Sequence, residues 1–598
     1  MSCSENFFAD SEKNYKMHVL KTKTRPGLML LLILAACTLT LSAQVELRYE
    51  QNETVSWEEA IRMYMWLDEL YPEAKLMEVG STDAGRPLHL FVIDRGQDFD
   101  PEFSKDSGKS ILFINNGIHP GEPCGVDASL KLAHDLLSGE DDYDTYLDNT
   151  VVLIVPILNV GGALNRSAYH RANQNGPIEH GFRGNARNLD LNRDFIKLDS
   201  RNTRSVVKVI RQWDPDIFVD THTSNGADYP YTLTLIHSHS QRHESSQALL
   251  IDSLLLPALY QGMEESPFDM CPYVWSRKRS PESGIQAFMD YPRYTSGYTS
   301  LFNTIAFTVE THMFKPFEDR VLSTWYFLRE TLKFCGQHQA ELADAKKKAW
   351  EEKLNREEFT MQWKLDPERH EMIPFRGYAV KEKKSKVSGL NRYYYDREET
   401  WEKEIPYYKY FQPVRTKDIP EYYVVPSAWS QVIERLQLNG VEMYALEEDS
   451  SVQATVYYID SYESARQPYN GHYRHSGVKV TQKSERIRLL AGDFIIPVRQ
   501  KAIEYLVQTL EPEAYDSFFS WNFFDEILFR NEYFSSYIFE ETAEELLRKD
   551  PELKKEFQAK RKEDPSFAKN AYQQLRFIYE RSPWSEPTYK RYPVYRLN

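Results

Sequence analysis

The sequence predicts an α/β fold: a mostly parallel mixed sheet with helices on both faces, followed by a smaller C-terminal α/β or α+β region. Three observations carry that expectation. Short apolar runs such as "ILFIN" and "TVVLIV" alternate with segments of helical periodicity. The runs are continuously apolar rather than alternating, as strands covered on both faces are. And the polar residues with chemical potential sit where the runs stop, which is where ligands bind in open parallel sheets.

In chain order, Ser56 and Glu59 form a capping-box pattern before "WEEAIRMYMWLDELY", whose apolar residues recur at helical spacing up to Pro72. "HLFVI" and "ILFIN" read as strands, "VDASLKLAHDLL" as helix and "TVVLIVPILN" as strand. Residues 200–213 read as helix, "DIFVDTH" as strand, "SSQALLIDSLLLPALYQGM" as helix and "TIAFTVETH" as strand. Residues 318–358 read as one long charged helix. The Tyr- and Pro-rich "PYYKYFQPVRTKDIPEYYVV" then opens a second region. There "YYVVPSAWSQVIERLQLNGVEMYAL" suggests strand–helix–strand, "ATVYYID" a further strand, and "GDFIIPVRQKAIEYLVQTL" strand plus helix, with polar helices over 540–580.

A chain of 598 residues exceeds one ordinary core, so two globular parts are expected. The boundaries read as a first domain over 44–340, a helical linker over 341–372 and an accessory domain of unknown role over 373–598. Net charge of −16 argues against a nucleic-acid partner, which would call for a basic face. Residues 1–43 read as an export leader: basic "KTKTRPG", apolar "LMLLLILAAC", and "TLTLSAQ" with cleavage after Ala43. The apolar stretch is short for a membrane span. "LAAC" also resembles a lipoprotein box that would leave a lipid anchor at Cys37; soluble export is favoured, and the protein is exported either way. Cys124, Cys271 and Cys335 are too few and too widely spaced for a zinc ribbon or a disulfide framework.

"NNGIHPGEPCG", at 115–125, sets His119 and Glu122 three apart around a Pro-Gly turn after an apolar run. With 15 His and 89 acidic residues, about two such pairs are expected by chance, and His338 with Glu341 is another. The pair gains meaning from His222, at the end of a later strand. Two imidazoles and one carboxylate, with a fourth position open for water, are a catalytic zinc set, one ion per chain.

Six motifs in one order extend that reading. They are the opening helix with "GSTDAGRPLHLFVI", then "HPGE", "NVGG" with "YHRANQNG", "NLDLNRDF", "DTHTSNGADYPY" and "AFTVETH". Together, from about 56 to 318, they resemble the zinc carboxypeptidase family of the carboxypeptidase A/B type. The resemblance implies a secreted metallocarboxypeptidase acting on peptides with a free C-terminal carboxylate, with zinc on His119, Glu122 and His222. It implies Glu310 as general base, Arg171 as the donor polarising the scissile carbonyl, and Asn192 with Arg193 holding the terminal carboxylate. Asp190 would orient the first zinc histidine, and Tyr294 and Tyr298 are the tyrosines expected to meet substrate.

This sequence departs from the family at Gly121, where many relatives carry a substrate-touching arginine. It also departs in the tyrosine spacing and in the C-terminal region, which does not resemble the family's usual small β-sandwich. Arg293 is expected either to form a salt bridge or to meet an acidic terminal side chain. Two alternatives remain open: a zinc amidase or peptidase acting on cell-wall stem peptides or N-acyl amino acids, and a non-catalytic peptide-binding surface protein.

Overall fold

The computed structural model describes residues 46–139 and 142–598; the leader, its cleavage point and Cys37 lie outside them. The opening helix Trp57–Leu70 forms as its sequence dictates. Ser56 accepts from the Glu59 backbone N–H at 3.2 Å, and the Glu59 carboxylate accepts from the Ser56 backbone at 2.8 Å.

The main sheet uses β1 (Ala74–Ser81), β2 (Pro87–Ile93), β3 (Ser110–Asn115), β4 (Thr150–Val155), β5 (Ile217–Ser224), β6 (Leu233–His237) and β7 (Met270–Pro272). After the short pair β8 (Trp275–Ser276) and β9 (Ile285–Gln286) comes β10 (Ile305–His312). The order β1-β2-β4-β3-β5-β10-β6-β7 is parallel across β4, β3, β5 and β10 and between β6 and β7, and antiparallel elsewhere. Every residue of β3, β4 and β5 is buried, which accounts for their unbroken apolar runs. β4 is shorter than its apolar run: Pro156 follows it, and Asn159 then caps the helix Val160–Leu164.

Helices Trp57–Leu70, Cys124–Ser138 and Phe317–Gln337 cover one face of the sheet. The other face is covered by helix Arg201–Trp213 and by the C-terminal region. Trp213 and Phe302 share one apolar cluster with Tyr423, Tyr505, Trp521 and Tyr592. The long charged helix is two helices, Phe317–Gln337 and Gln339–Leu354. His338 leaves helical geometry between them (φ −121°, ψ 29°), its N–H closing the first and its carbonyl opening the second. Its pairing with Glu341 lies at the surface.

The C-terminal region contributes β11 (Glu358–Leu365), β12 (Glu371–Lys384), β13 (Asn391–Tyr408), β14 (Phe411–Asp418) and β15 (Tyr422–Val425). These are followed by β16 (Tyr444–Ala445), β17 (Ser450–Ser464), β18 (His475–Leu489), β19 (Phe494–Pro497) and β20 (Tyr595–Leu597). A six-stranded sheet runs β16-β19-β15-β20-β17-β18, with β17 and β18 as its long hairpin. Cys124, Cys271 and Cys335 are buried and free. Among the described residues, no helix is long and apolar enough to cross a membrane.

Candidate active site

Three neighbouring parallel strands, β3, β5 and β10, end at the same edge, and the loops beyond them build the site. After β3 the chain turns at Gly117, and the Glu122 N–H closes a turn onto the His119 carbonyl at 2.8 Å. This brings His119 Nδ1 within 3.4 Å of Glu122 Oε2. From β5, His222 Nδ1 reaches the same oxygen at 3.1 Å. The ligand atoms of the three residues lie within 4.8 Å of one another, and all three are buried. β5 and helix Cys124–Ser138 can approach because residue 125 is glycine: a Cβ there would stand 1.9 Å from Thr221 Oγ1.

Both imidazoles are oriented from behind. His119 Nε2 bonds Asp190 Oδ1 at 2.9 Å, and His222 Nε2 bonds Asp220 Oδ2 at 3.0 Å. Carboxylates on the outer nitrogens fix the tautomer that frees both Nδ1 lone pairs for a metal. Asp220 is itself held by Asn115 at 2.9 Å and Thr295 at 2.7 Å. The His222 pKa is raised well above its ordinary value: burial opposes the charge, but Asp220 and Glu122 outweigh it. Glu122 is held well below the usual carboxylate range. Burial would raise it, and Arg171 together with the histidines wins. A buried anion facing two imidazoles is the donor chemistry a divalent zinc requires.

Glu310 and His222 are register partners on parallel β10 and β5. Among the described residues the Glu310 carboxylate takes no hydrogen bond, and burial pushes it up to about 7, against the pull of His222. It faces a cavity of about 590 Å³ whose wall also holds His119, Glu122, Asn192, Arg193 and Tyr294. The expected substrate residues 192, 193 and 294 therefore converge on the metal donors, and Arg193 lies 4.4 Å over the Tyr294 ring.

Two expected residues sit elsewhere. Tyr298 is fully buried in the core between Phe195 and Phe302, its hydroxyl donating to Asn439 at 2.6 Å, so it does not reach the cavity. The Arg171 guanidinium is engaged by Glu122 Oε1 at 2.5 Å and the Thr223 carbonyl at 3.3 Å, and it is absent from the cavity wall. Gly121 makes room for it: a Cβ at 121 would lie 2.8 Å from Arg171 Cδ. Arg183 lines the cavity instead, bonding Asp190 Oδ2 at 2.9 Å and Glu122 Oε1 at 3.3 Å. Arg293 pairs with buried Asp516 at 2.6 Å, the salt bridge rather than a substrate contact.

Sequence reading missed Asp220, Arg183 and Asp290. Asp220 had a usable signal, since residues two apart on a strand share a face. Asp290 had none. It is 6% exposed, lines the cavity, and its carboxylate neither accepts a hydrogen bond nor meets a cation within 4 Å among the described residues.

An α/β crevice with a His–Glu–His cluster that could hold a metal and a half-buried carboxylate beside it is an arrangement that suits a metallohydrolase. Residues 63–249 match the zinc carboxypeptidase family model. These residues carry a zinc carboxypeptidase domain, which supports a metallocarboxypeptidase-type hydrolase, and the His119–Glu122–His222 cluster could hold the zinc that such a domain uses. It is 21% identical over 434 residues to carboxypeptidase 2 of Trichophyton tonsurans, covering 69% of this chain and 74% of that one. It is 30% identical over 101 residues to carboxypeptidase B of Astacus astacus, 16% of this chain and 30% of that one. Carboxypeptidase A from Helicoverpa armigera superposes with TM-score 0.37 at 15% identity, covering 53% and 80% of the two chains.

Proposed function

We propose that the protein is exported and removes the C-terminal residue of peptides, with zinc on His119, Glu122 and His222 and with Glu310 as general base. The observation that carries this reading is the pairing of Glu310 with His222 on adjacent strands, a free carboxylate beside the third donor. When bound, zinc supplies Lewis-acid chemistry that makes water reactive near neutrality. Asn192 and Arg193 receive the substrate's terminal carboxylate, for which a guanidinium fork is the matched partner. Glu310 takes the proton of the attacking water and returns it to the leaving amine. The carbonyl-polarising role expected of Arg171 passes to Arg183, the guanidinium on the cavity wall, while Arg171 keeps Glu122 ionised. Digestion of a C-terminal peptide library, with and without chelator, tests the reading: trimming from the free end that stops with chelator supports it. Cleavage only of muropeptides or N-acyl amino acids refutes it.

The arginine assignment makes its own prediction. Arg183→Ala should lower kcat about 10²-fold or more, as loss of an oxyanion donor does, at unchanged zinc content. Arg171→Ala should instead weaken zinc retention. Steady-state kinetics and metal analysis on both variants separate the roles, and a reversed pattern restores Arg171 to the carbonyl.

Asp290 supports a substrate preference. Thr308 and Ile236, register partners on β10 and β6, extend the cavity below Glu310, and Asp290 lines the same cavity. A buried carboxylate without a partner is costly until a cation meets it. Peptides ending in Lys or Arg are expected to exceed Leu-terminated ones in kcat/KM by about tenfold or more, and Asp290→Asn should erase the difference. Burial pushes this carboxyl up to about 7 against the pull of Arg242, Arg193 and His222. The charged form, and so the preference, is present above that pH and fades below it. Equal rates on Lys- and Leu-terminated peptides at pH 8 would dismiss the assignment.

A further inference from the structure

The C-terminal region reaches the active site through Tyr393 and Tyr395 of β13, which line the cavity, and through the loop joining β17 to β18. The loop joining β17 to β18 contains a tight turn over 469–472, in which Tyr469 and His472 exchange backbone hydrogen bonds at 2.8 and 3.2 Å. Asn470 (φ 49°) and Gly471 (φ 86°) both occupy the left-handed region, which suits Asn and Gly. The turn is laid against residues 190–199 of the first domain. Asp190 N–H donates to Asn470 Oδ1 at 2.7 Å, and Asn470 Nδ2 donates to the Asp190 carbonyl at 3.1 Å. Arg193 Nε donates to the Tyr469 hydroxyl at 2.7 Å, and His472 Nε2 bonds Asp199 at 2.8 Å.

What the turn grips matters. Asp190 orients His119, while Asn192 and Arg193 stand on the cavity wall. The Asn470 amide clamps the main chain of residue 190 at both its donor and its acceptor. Arg193 has Nε committed to Tyr469 and Nη1 to the Asn192 carbonyl at 2.6 Å, which leaves Nη2 for an incoming anion. Tyr469 is in turn stacked on buried Trp521, with ring centroids 6.1 Å apart. A guanidinium binds a carboxylate well only in the right plane, and this chain sets that plane from outside the first domain.

We propose that the 469–472 turn is part of the active site, with Tyr469 and Asn470 as positioning residues for recognition of the substrate's terminal carboxylate. The C-terminal region thereby completes the exopeptidase site. The proposal rests on Asn192 and Arg193 being the carboxylate receptor.

The test uses the full-length zinc protein. Tyr469→Phe removes one hydroxyl and should raise KM about tenfold at nearly unchanged kcat, the loss of one hydrogen bond to a charged group. Asn470→Gly keeps the left-handed turn while deleting the clamp and should lower kcat/KM by about tenfold or more. Asn470→Asp, which retains the acceptor for Asp190 N–H, should recover part of that loss. Calorimetry supplies a readout apart from turnover. An N-acyl amino acid should bind Tyr469→Phe about tenfold more weakly than wild type, whereas its amide should bind both alike. Unchanged KM and unchanged carboxylate affinity in folded Tyr469→Phe, together with unchanged kcat/KM in Asn470→Gly, would overturn the proposal. If wild type itself trims no free C-terminus, the failure belongs to the functional reading instead.

Discussion

Glu310→Gln is expected to keep one zinc per chain and to lose about 10³- to 10⁴-fold in kcat, the upper range for removal of a general base. The size follows from the surroundings. Glu310 is register-paired with His222, faces the cavity and has no other hydrogen-bonding duty. Gln keeps the shape and removes only the ability to carry a proton. The same residue sets the acid limb of the pH profile. Only its ionised form can accept a proton, so activity rises with pH through its ionisation and is lost below it. Burial pushes that ionisation up to about 7 without a metal, and zinc's charge pulls it down, so the limb should fall at or below neutrality. Metal analysis, kcat and a pH profile check this together; a Gln variant within tenfold of wild type would remove Glu310 from the chemistry.

Glu122→Gln is expected to abolish activity by a different route, with zinc affinity falling about 10²- to 10³-fold, the cost of removing one partner from a buried charge cluster. Glu122 accepts from Arg171 and Arg183 on Oε1 and from the Thr223 N–H on Oε2, where the Nδ1 atoms of both imidazoles also converge. Without its charge, the Arg171 guanidinium would face the dication's position unopposed, while Arg183 would keep only Asp190. Competition with a graded chelator reads the affinity directly. Activity regained at saturating zinc is the expected companion result, and full zinc occupancy at wild-type affinity would be incompatible with the assignment.

The parallel sheet was legible because strands buried on both faces must be apolar throughout, as "ILFIN" and "TVVLIV" are. The candidate site was legible for a related reason: His119 and His222, two of the three candidate metal donors, and Glu310 each follow or end such a run, so strand order alone brings them together. Arg171 and Arg183 were not separable, because both lie on an irregular loop where spacing says nothing about direction. Tyr298 misled for the opposite reason. It lies four residues beyond Tyr294, but Tyr294 is extended (φ −90°, ψ 158°) just before the helix Thr295–Thr299, so the helical rule that residues four apart share a face does not apply and Tyr298 is in the core. The grip of Tyr469 and Asn470 was invisible, since those hydrogen bonds span 276 and 280 residues.

The placement of β20 carries a consequence for when the hydrolase matures. Residues 595–597 sit between β15 and β17 in sheet order, so the hairpin bearing the 469–472 turn is seated through a strand contributed more than a hundred positions downstream. Until residues 595–597 are in place, the hairpin lacks the strand that seats it, and the brace on Arg193 is incomplete. On the proposed function, full competence toward a free C-terminus would then depend on residues 595–597 being seated.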